Sequence, residues 1–185
     1  MQAGPQPWNR LAVIVSLLEH VQPSALGRTA LMKCLYLLEA MRGVQLGYHF
    51  RLYTYGPFDS DVLDDLTYAE RLGAVVSDAK LYSAGYGYEI RPGPKAVEVR
   101  DRAQGFLAGV GDDIAWIAAH FAPRSAVELE TLSTLVFVDR AASGRRIDLD
   151  EIVDRVHGIK PRLSREAILR EARALLADGL LKNLR

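Results

Sequence analysis

Histidine, cysteine and carboxylate side chains ligate metals, move protons and attack carbonyl groups, so their spacing is the first thing to read. The four histidines, His20, His49, His120 and His157, stand far apart. None pairs with another, or with Cys34, at the short intervals that metal ligation uses. No metal site is expected. Cys34 lies mid-helix beside Leu35. Thiol activation needs a cationic or helix-N-terminal setting, and the neighbouring Lys33 points in a different direction on a helix. A buried, inert thiol is expected. The stretch "SAGYGYE" has glycines at intervals reminiscent of a phosphate-binding loop. Such loops follow a strand and open a helix, whereas this one falls inside a predicted hairpin and reads as a turn. No cofactor is expected, and no catalytic constellation marks the chain as an enzyme.

Asp59, Asp61, Asp64 and Asp65 form the densest acidic group. They lack the central glycine and terminal glutamate of a calcium loop. A capped, solvated helix start accounts for them, because carboxylates favour the positive end of the helix dipole. Just before them, "HFRLYTYGPF" holds four aromatics in ten residues. Exposed rings can stack on single-stranded bases when cations accompany them. Arg51 is the one basic residue in this cluster, and the aspartates that follow repel phosphate. Ring packing and protein contact are the expected uses.

These residues must be positioned by a chain of 185 residues, which fits a single domain or two small units sharing a core. Apolar residues make up 49%, enough for a sizeable core. Lysine and arginine balance aspartate and glutamate at 23 each. That balance removes the simplest argument for bulk binding to nucleic acid or anionic membrane. A single cysteine excludes an intrachain disulfide, and a cytoplasmic setting is expected. The opening residues "MQAGPQPWNR" lack a basic segment followed by an apolar one, so no signal peptide is expected, and no apolar run is long enough for a membrane span.

Periodicity predicts a buried helix over residues 8–21 and a second from a Thr29 cap to Gly43, with Leu31, Leu35, Leu38 and Met41 inward. "YHFRLYTY" should be extended, with Gly56-Pro57 ending it. Asp59 or Ser60 should cap a third helix reaching Gly73, and a hairpin should follow over residues 74–91. After "PGP", helices are predicted over 95–108, 112–121, 125–142 and 149–156, with a last one starting at Ser164. The expected organisation is one domain, 1–185: a helical core over 8–92 carrying the Tyr-Gly-Pro segment and hairpin, with a helical half over 95–185 packed on it. The fold class is mostly α with a small antiparallel β-hairpin (α+β), a winged-helix-like helical domain. A faint echo links "DLTYAERLGAVV" to "EARALLADGLLKN": each ends a helix on a glycine and continues with apolar residues.

One pattern is more specific. A helix carries Lys33, Tyr36 and Leu37; an extended segment ends at Tyr55, Gly56, Pro57 and Phe58; a helix ends at Leu72 and Gly73. This resembles the SocA-like antitoxin family, or Panacea domain, and the later "IKPRLSREAILREARALLADGLL" resembles its YwgA-like branch. The resemblance spans residues 8–181. It implies a cytosolic, mostly helical bacterial protein without enzymatic activity, in a family whose understood members bind and neutralise partner toxins. In this pattern Lys33, Tyr36, Gly56, Pro57 and Gly73 are structural signature residues.

The resulting expectation is a non-enzymatic protein-binding module, antitoxin-like or a regulatory adaptor, whose partner is a protein such as a toxin. Its contact surface is expected at Arg51, Tyr53, Tyr55, Phe58, Asp59 and Asp61, with Tyr82, Tyr86 and Tyr88 of the hairpin, since tyrosines are natural interface anchors. The alternative is a winged-helix transcriptional regulator that binds DNA. That reading draws on the helix–helix–hairpin order and on a segment from Arg145 onward holding ten basic residues against seven acidic ones.

Overall fold

The computed structural model describes residues 7–82 and 85–184. Among them are eight helices and two antiparallel two-stranded ribbons, so the chain is mostly α with a small β component. None of these helices is long and apolar enough to cross a membrane. Two compact units divide the chain: residues up to Phe50 with Asp59–Arg124, and Arg51–Phe58 with the residues from Ser125 onward. The units therefore part at Arg124, beyond the "PGP" break.

The first unit is built on α1 (Pro7–His20), where Leu11 to Leu18 are buried without interruption. Pro7 suits the first helical position, where no N–H is needed. Helix α2 (Arg28–Arg42) follows. Its N-cap is Gly27 rather than the expected Thr29, which lies inside the first turn, and no side chain caps it. Gly43 closes it in the left-handed conformation at φ 73°, its N–H donating to the Glu39 carbonyl. Helix α3 (Ser60–Arg71) is capped by Asp59, whose carboxylate accepts from the Asp61 N–H. Its stripe buries Val62, Leu66 and Ala69, while Leu63 and Leu72 stay partly exposed.

The hairpin of this unit pairs the longer strands Val75–Tyr82 and Gly85–Pro92 in register, Val75 facing Pro92 and Leu81 facing Tyr86. Leu26 bridges Ile90 through backbone hydrogen bonds in both directions, which ties the α1–α2 connection to the hairpin. Within this unit a helix, a bridge, two helices and a hairpin follow one another. Helix α4 (Ala96–Asp101) and helix α5 (Gln104–Phe121) then pack on α1. The expected break between Ala108 and Asp112 is absent: α5 runs through Gly105, Gly109 and Gly111, and the chain breaks earlier, near Arg102. Each mid-helix glycine costs about 1 kcal/mol relative to alanine. Burial of Ile114, Ile117 and Phe121 outweighs that local preference.

The second unit holds ribbon β1 (Arg51–Tyr53) and β2 (Gly56–Phe58), helices α6 (Ala126–Ala141), α7 (Leu149–Ile159) and α8 (Arg165–Ala177). Here one expectation is corrected. Gly56-Pro57 does not end the extended run; the turn is at Thr54-Tyr55, and Gly56 opens the return strand, with Leu52 facing Pro57 and Tyr53 facing Gly56. Gly56 takes φ 93°, in the region that favours glycine. Proline lacks an N–H and is confined to edge strands, and both strands of a two-stranded ribbon are edges.

A full capping box starts α6, Ser125 and Glu128 each bonding the other's backbone N–H. Ser164 caps α8 as expected, accepting from the Ala167 N–H. The echo between the two units is geometric. Helix α3 ends with Gly73 N–H bonded to the Glu70 carbonyl and Ala74 N–H to Ala69; α8 ends with Gly179 N–H bonded to Leu176 and Leu180 N–H to Leu175. Both glycines have positive φ, 74° and 67°, and each set is a Schellman closure. In the second unit Ile147 bridges Leu184, in parallel sense. Buried Asp139 fastens this terminus by accepting from the Lys182 and Asn183 N–H groups at 2.9 Å.

Candidate partner-binding surface

The β1–β2 tip carries Tyr53 and Tyr55, which are 69% and 59% exposed. Large apolar rings in water mark contact surfaces only when they are held in place. Lys160 holds this tip. Its ammonium donates to the Tyr53 carbonyl oxygen at 2.7 Å and to that of Thr54. Lys160 itself is 3% exposed and pairs with Glu130 of α6 at 3.3 Å, and Glu130 is 4% exposed. A buried cation needs a partner charge and filled donor sites, and Lys160 has both.

The segment after α7 is shaped to deliver this lysine. Lys160 N–H donates to the Val156 carbonyl, Leu163 N–H to the Lys160 carbonyl, and His157 Nδ1 to the Leu163 carbonyl at 2.9 Å. Pro161 leaves no N–H to satisfy within this bend. Arg162 Nη2 then reaches both oxygens of Glu130 at 2.5 Å, and its guanidinium lies over the Tyr55 ring, 4.8 Å from the centroid. Between Leu52–Thr54 and Ile159–Arg162 runs an open groove of about 690 Å³. Among the described residues no carboxylate lines it.

The other expected surface residues are divided. Arg51 is exposed on β1, on the same face as Tyr53 by strand alternation. Phe58 is partly exposed and its ring tilts on Tyr53 with centroids 5.8 Å apart. Asp59 belongs to the first unit and is buried, so it is removed from the expected exposed surface. Its second oxygen accepts the His49 N–H at 2.5 Å, which with the α3 cap occupies both sides of the carboxylate. Asp61 is exposed and pairs with Arg10 at 3.5 Å. On the longer hairpin Tyr86 is 84% exposed opposite exposed Leu81, while Tyr88 lies beneath the Arg28 guanidinium, 3.6 Å from its ring centroid. The backbone of Tyr82 ends its strand, and its side chain lies outside the described residues.

The signature residues have structural places. Lys33 is buried; Tyr36 is buried against Phe50, centroids 5.2 Å apart; Pro57 is buried in β2; Gly73 closes α3. The first unit also holds a polar latch. Arg10 donates to the Leu46 and Gly47 carbonyls at 2.8 and 2.7 Å and stacks on Tyr48, whose hydroxyl donates to Asp65 at 2.9 Å. Glu39 accepts from the Leu46 N–H at 2.9 Å. Burial raises the Glu39 and Asp65 carboxyls above their usual range, against the opposing pull of Arg10 and their hydrogen bonds. Burial also raises the Tyr48 phenol. Every member of the latch orders the loop leading to Tyr48.

The residues with metal or nucleophile chemistry remain apart. His20 and His120 each bond the carbonyl four residues earlier in their helices. Burial pushes the Cys34 thiol up to about 12. Among the described residues no group of three or more His, Cys, Asp or Glu could hold a metal ion. Glu130, Lys160 and Arg162 were not among the expected site residues. One signal for them was in the sequence: Glu130 interrupts the apolar run "LETLSTLVFV", and a charge in a buried face requires a partner. No protein-family model and no curated protein matches the chain.

Proposed function

We propose that this chain is a non-enzymatic protein-binding module of the antitoxin-like or regulatory-adaptor kind, and that the β1–β2 tip is its contact surface. The observation that carries the reading is the pairing of two well-exposed tyrosines with a buried lysine that fixes the backbone beneath them. Tyrosine supplies large contact area with few rotatable bonds, and a tip already ordered loses little entropy on binding. Affinity capture from the native host should return a recurrent protein partner. Replacing Tyr53 and Tyr55 together by serine should abolish its capture, while thermal unfolding stays close to wild type. Failure to recover any recurrent partner would sink the reading.

A DNA-binding regulator is the second reading, favoured by the winged-helix order of the first unit. The charges weigh against it. Helix α3, which would enter the groove, exposes Asp61 and Asp64. The hairpin cations are engaged, Lys80 with Glu89 and Arg91 with Asp78 and Glu89. Duplex binding depends on free cations facing phosphate. A gel-shift titration at low salt that yields a complex, weakening steeply as salt rises, would favour this reading over the first.

A further inference from the structure

Arg162 has donor capacity left after its contacts within the second unit are made. Its Nη2 makes both bonds to Glu130, and its Nε and Nη1 make none among the described residues. The side chain is 51% exposed and is held from two sides, by Glu130 and by the Tyr55 ring. Two cations, Lys160 and Arg162, meet one carboxylate, Glu130, so one positive charge is uncompensated beside the groove. The groove walls at Leu52, Tyr53, Thr54, Ile159 and Pro161 carry no charge. Arg51, exposed two residues before Tyr53 on β1, is a further cation of this ribbon.

From this arrangement we infer that the groove receives a short acidic peptide segment of a protein partner. The inference deepens the protein-binding reading and rests on it. An aspartate or glutamate of the segment pairs with Arg162 through one of its free donors, Nη1 or Nε. A hydrogen bond between two charged groups is about twice as strong as one between neutral groups. An adjoining apolar side chain lies on Ile159 and Pro161, flanked by Tyr53. Because Arg162 is already oriented, the pairing costs less side-chain entropy than a free surface arginine would. A phosphate backbone suits the groove less well, since its binding needs a row of cations and a carboxylate-free surround, and Glu130 stands directly behind Arg162.

The test is selection from a phage-displayed random peptide library on the full chain, with matrix alone as background. Enriched peptides should share an Asp or Glu next to an apolar residue. A synthetic peptide of that consensus should bind Arg162→Gln about tenfold more weakly than wild type, a loss of about 1.4 kcal/mol. Glu130 keeps Lys160 in that variant, so folding is preserved and is checked by thermal unfolding. Tyr55→Ala, which removes the ring under Arg162 without changing charge, should weaken binding as well. No enrichment above background, enrichment without acidic residues, or equal affinity for wild type and Arg162→Gln would overturn the inference. So would a labelled oligothymidine that binds more tightly than the peptide and loses binding in Arg162→Gln. A host partner whose capture needs Tyr53 and Tyr55 but is indifferent to Arg162→Gln would overturn the acidic-segment inference alone and leave the protein-binding reading standing.

Discussion

Lys160 and Glu130 form an ion pair at 3.3 Å with both side chains almost wholly withdrawn from water. The pair joins the end of α7 to the second turn of α6, and through the carbonyls of Tyr53 and Thr54 it also fixes the β1–β2 turn. Removing one member of a buried pair strands the other, and the turn carbonyls lose their donor as well. Lys160→Met should destabilise the protein by about 3 kcal/mol, the low end for a broken buried pair because Arg162 remains on Glu130. The Lys160→Met/Glu130→Gln double variant should lose less than the two single losses combined. Urea unfolding of the four proteins measures this, and strict additivity would show that the pair is not coupled.

Gly93 approaches the α3 closure so closely that an added Cβ would lie 2.4 Å from the Gly73 carbonyl oxygen and 2.9 Å from the Val75 nitrogen. Both contacts are to backbone, which cannot turn aside as a side chain does. Its own N–H bonds the Ala74 carbonyl at 2.8 Å. Gly93→Ala should therefore cost about 1–3 kcal/mol, the range for forced overpacking. Gly109→Ala, a mid-helix position with open space around it, should instead be neutral or stabilising by up to about 1 kcal/mol. The melting temperature should fall in Gly93→Ala and hold or rise in Gly109→Ala.

Asp65 provides a pH signature. Burial raises its carboxyl in the folded protein, so between the ordinary carboxylate value and the raised one the folded state holds a proton that the unfolded state has released. Stability contributed at this position therefore falls as pH rises through that window. Asp65→Asn removes the titration. The stability of wild type minus that of Asp65→Asn, from urea midpoints at a series of pH values, should decrease with rising pH across the window. A difference independent of pH would contradict the assignment.

Cys34 is fully buried and its thiol is pushed up to about 12. The thiolate is the species that reacts, so iodoacetamide at pH 8 should leave the native protein unlabelled over hours and modify it within minutes in guanidinium. Mass spectrometry reads the outcome. Rapid native labelling would mean that α2 opens locally.

The helices and their ends were legible because their signals are local. Asp59, Ser125 and Ser164 cap the helices that follow them through a backbone N–H two or three residues on. Gly43, Gly73 and Gly179 end theirs because the left-handed closure at positive φ carries no Cβ penalty for glycine. Two local readings failed for reasons outside their windows. Helix α5 runs through three glycines because its far half is buried. The Gly56-Pro57 pair opens a return strand because the turn before it is held by Lys160, more than a hundred residues later in the chain.

By itself, the sequence determined the helical class, the longer hairpin, the balanced charge and the clustering of tyrosines around Gly56. Propensity, periodicity and capping act over a few residues, so one strand of text contains them. The tertiary structure alone decided which charges meet. Glu130 and Arg162 are 32 positions apart, and Lys160 lies 107 positions from Tyr53, yet their side chains converge beneath one exposed turn. Such a convergence depends on how whole helices pack, since burial of apolar faces sets where each helix lies and the charged groups must then find partners among whatever is brought near.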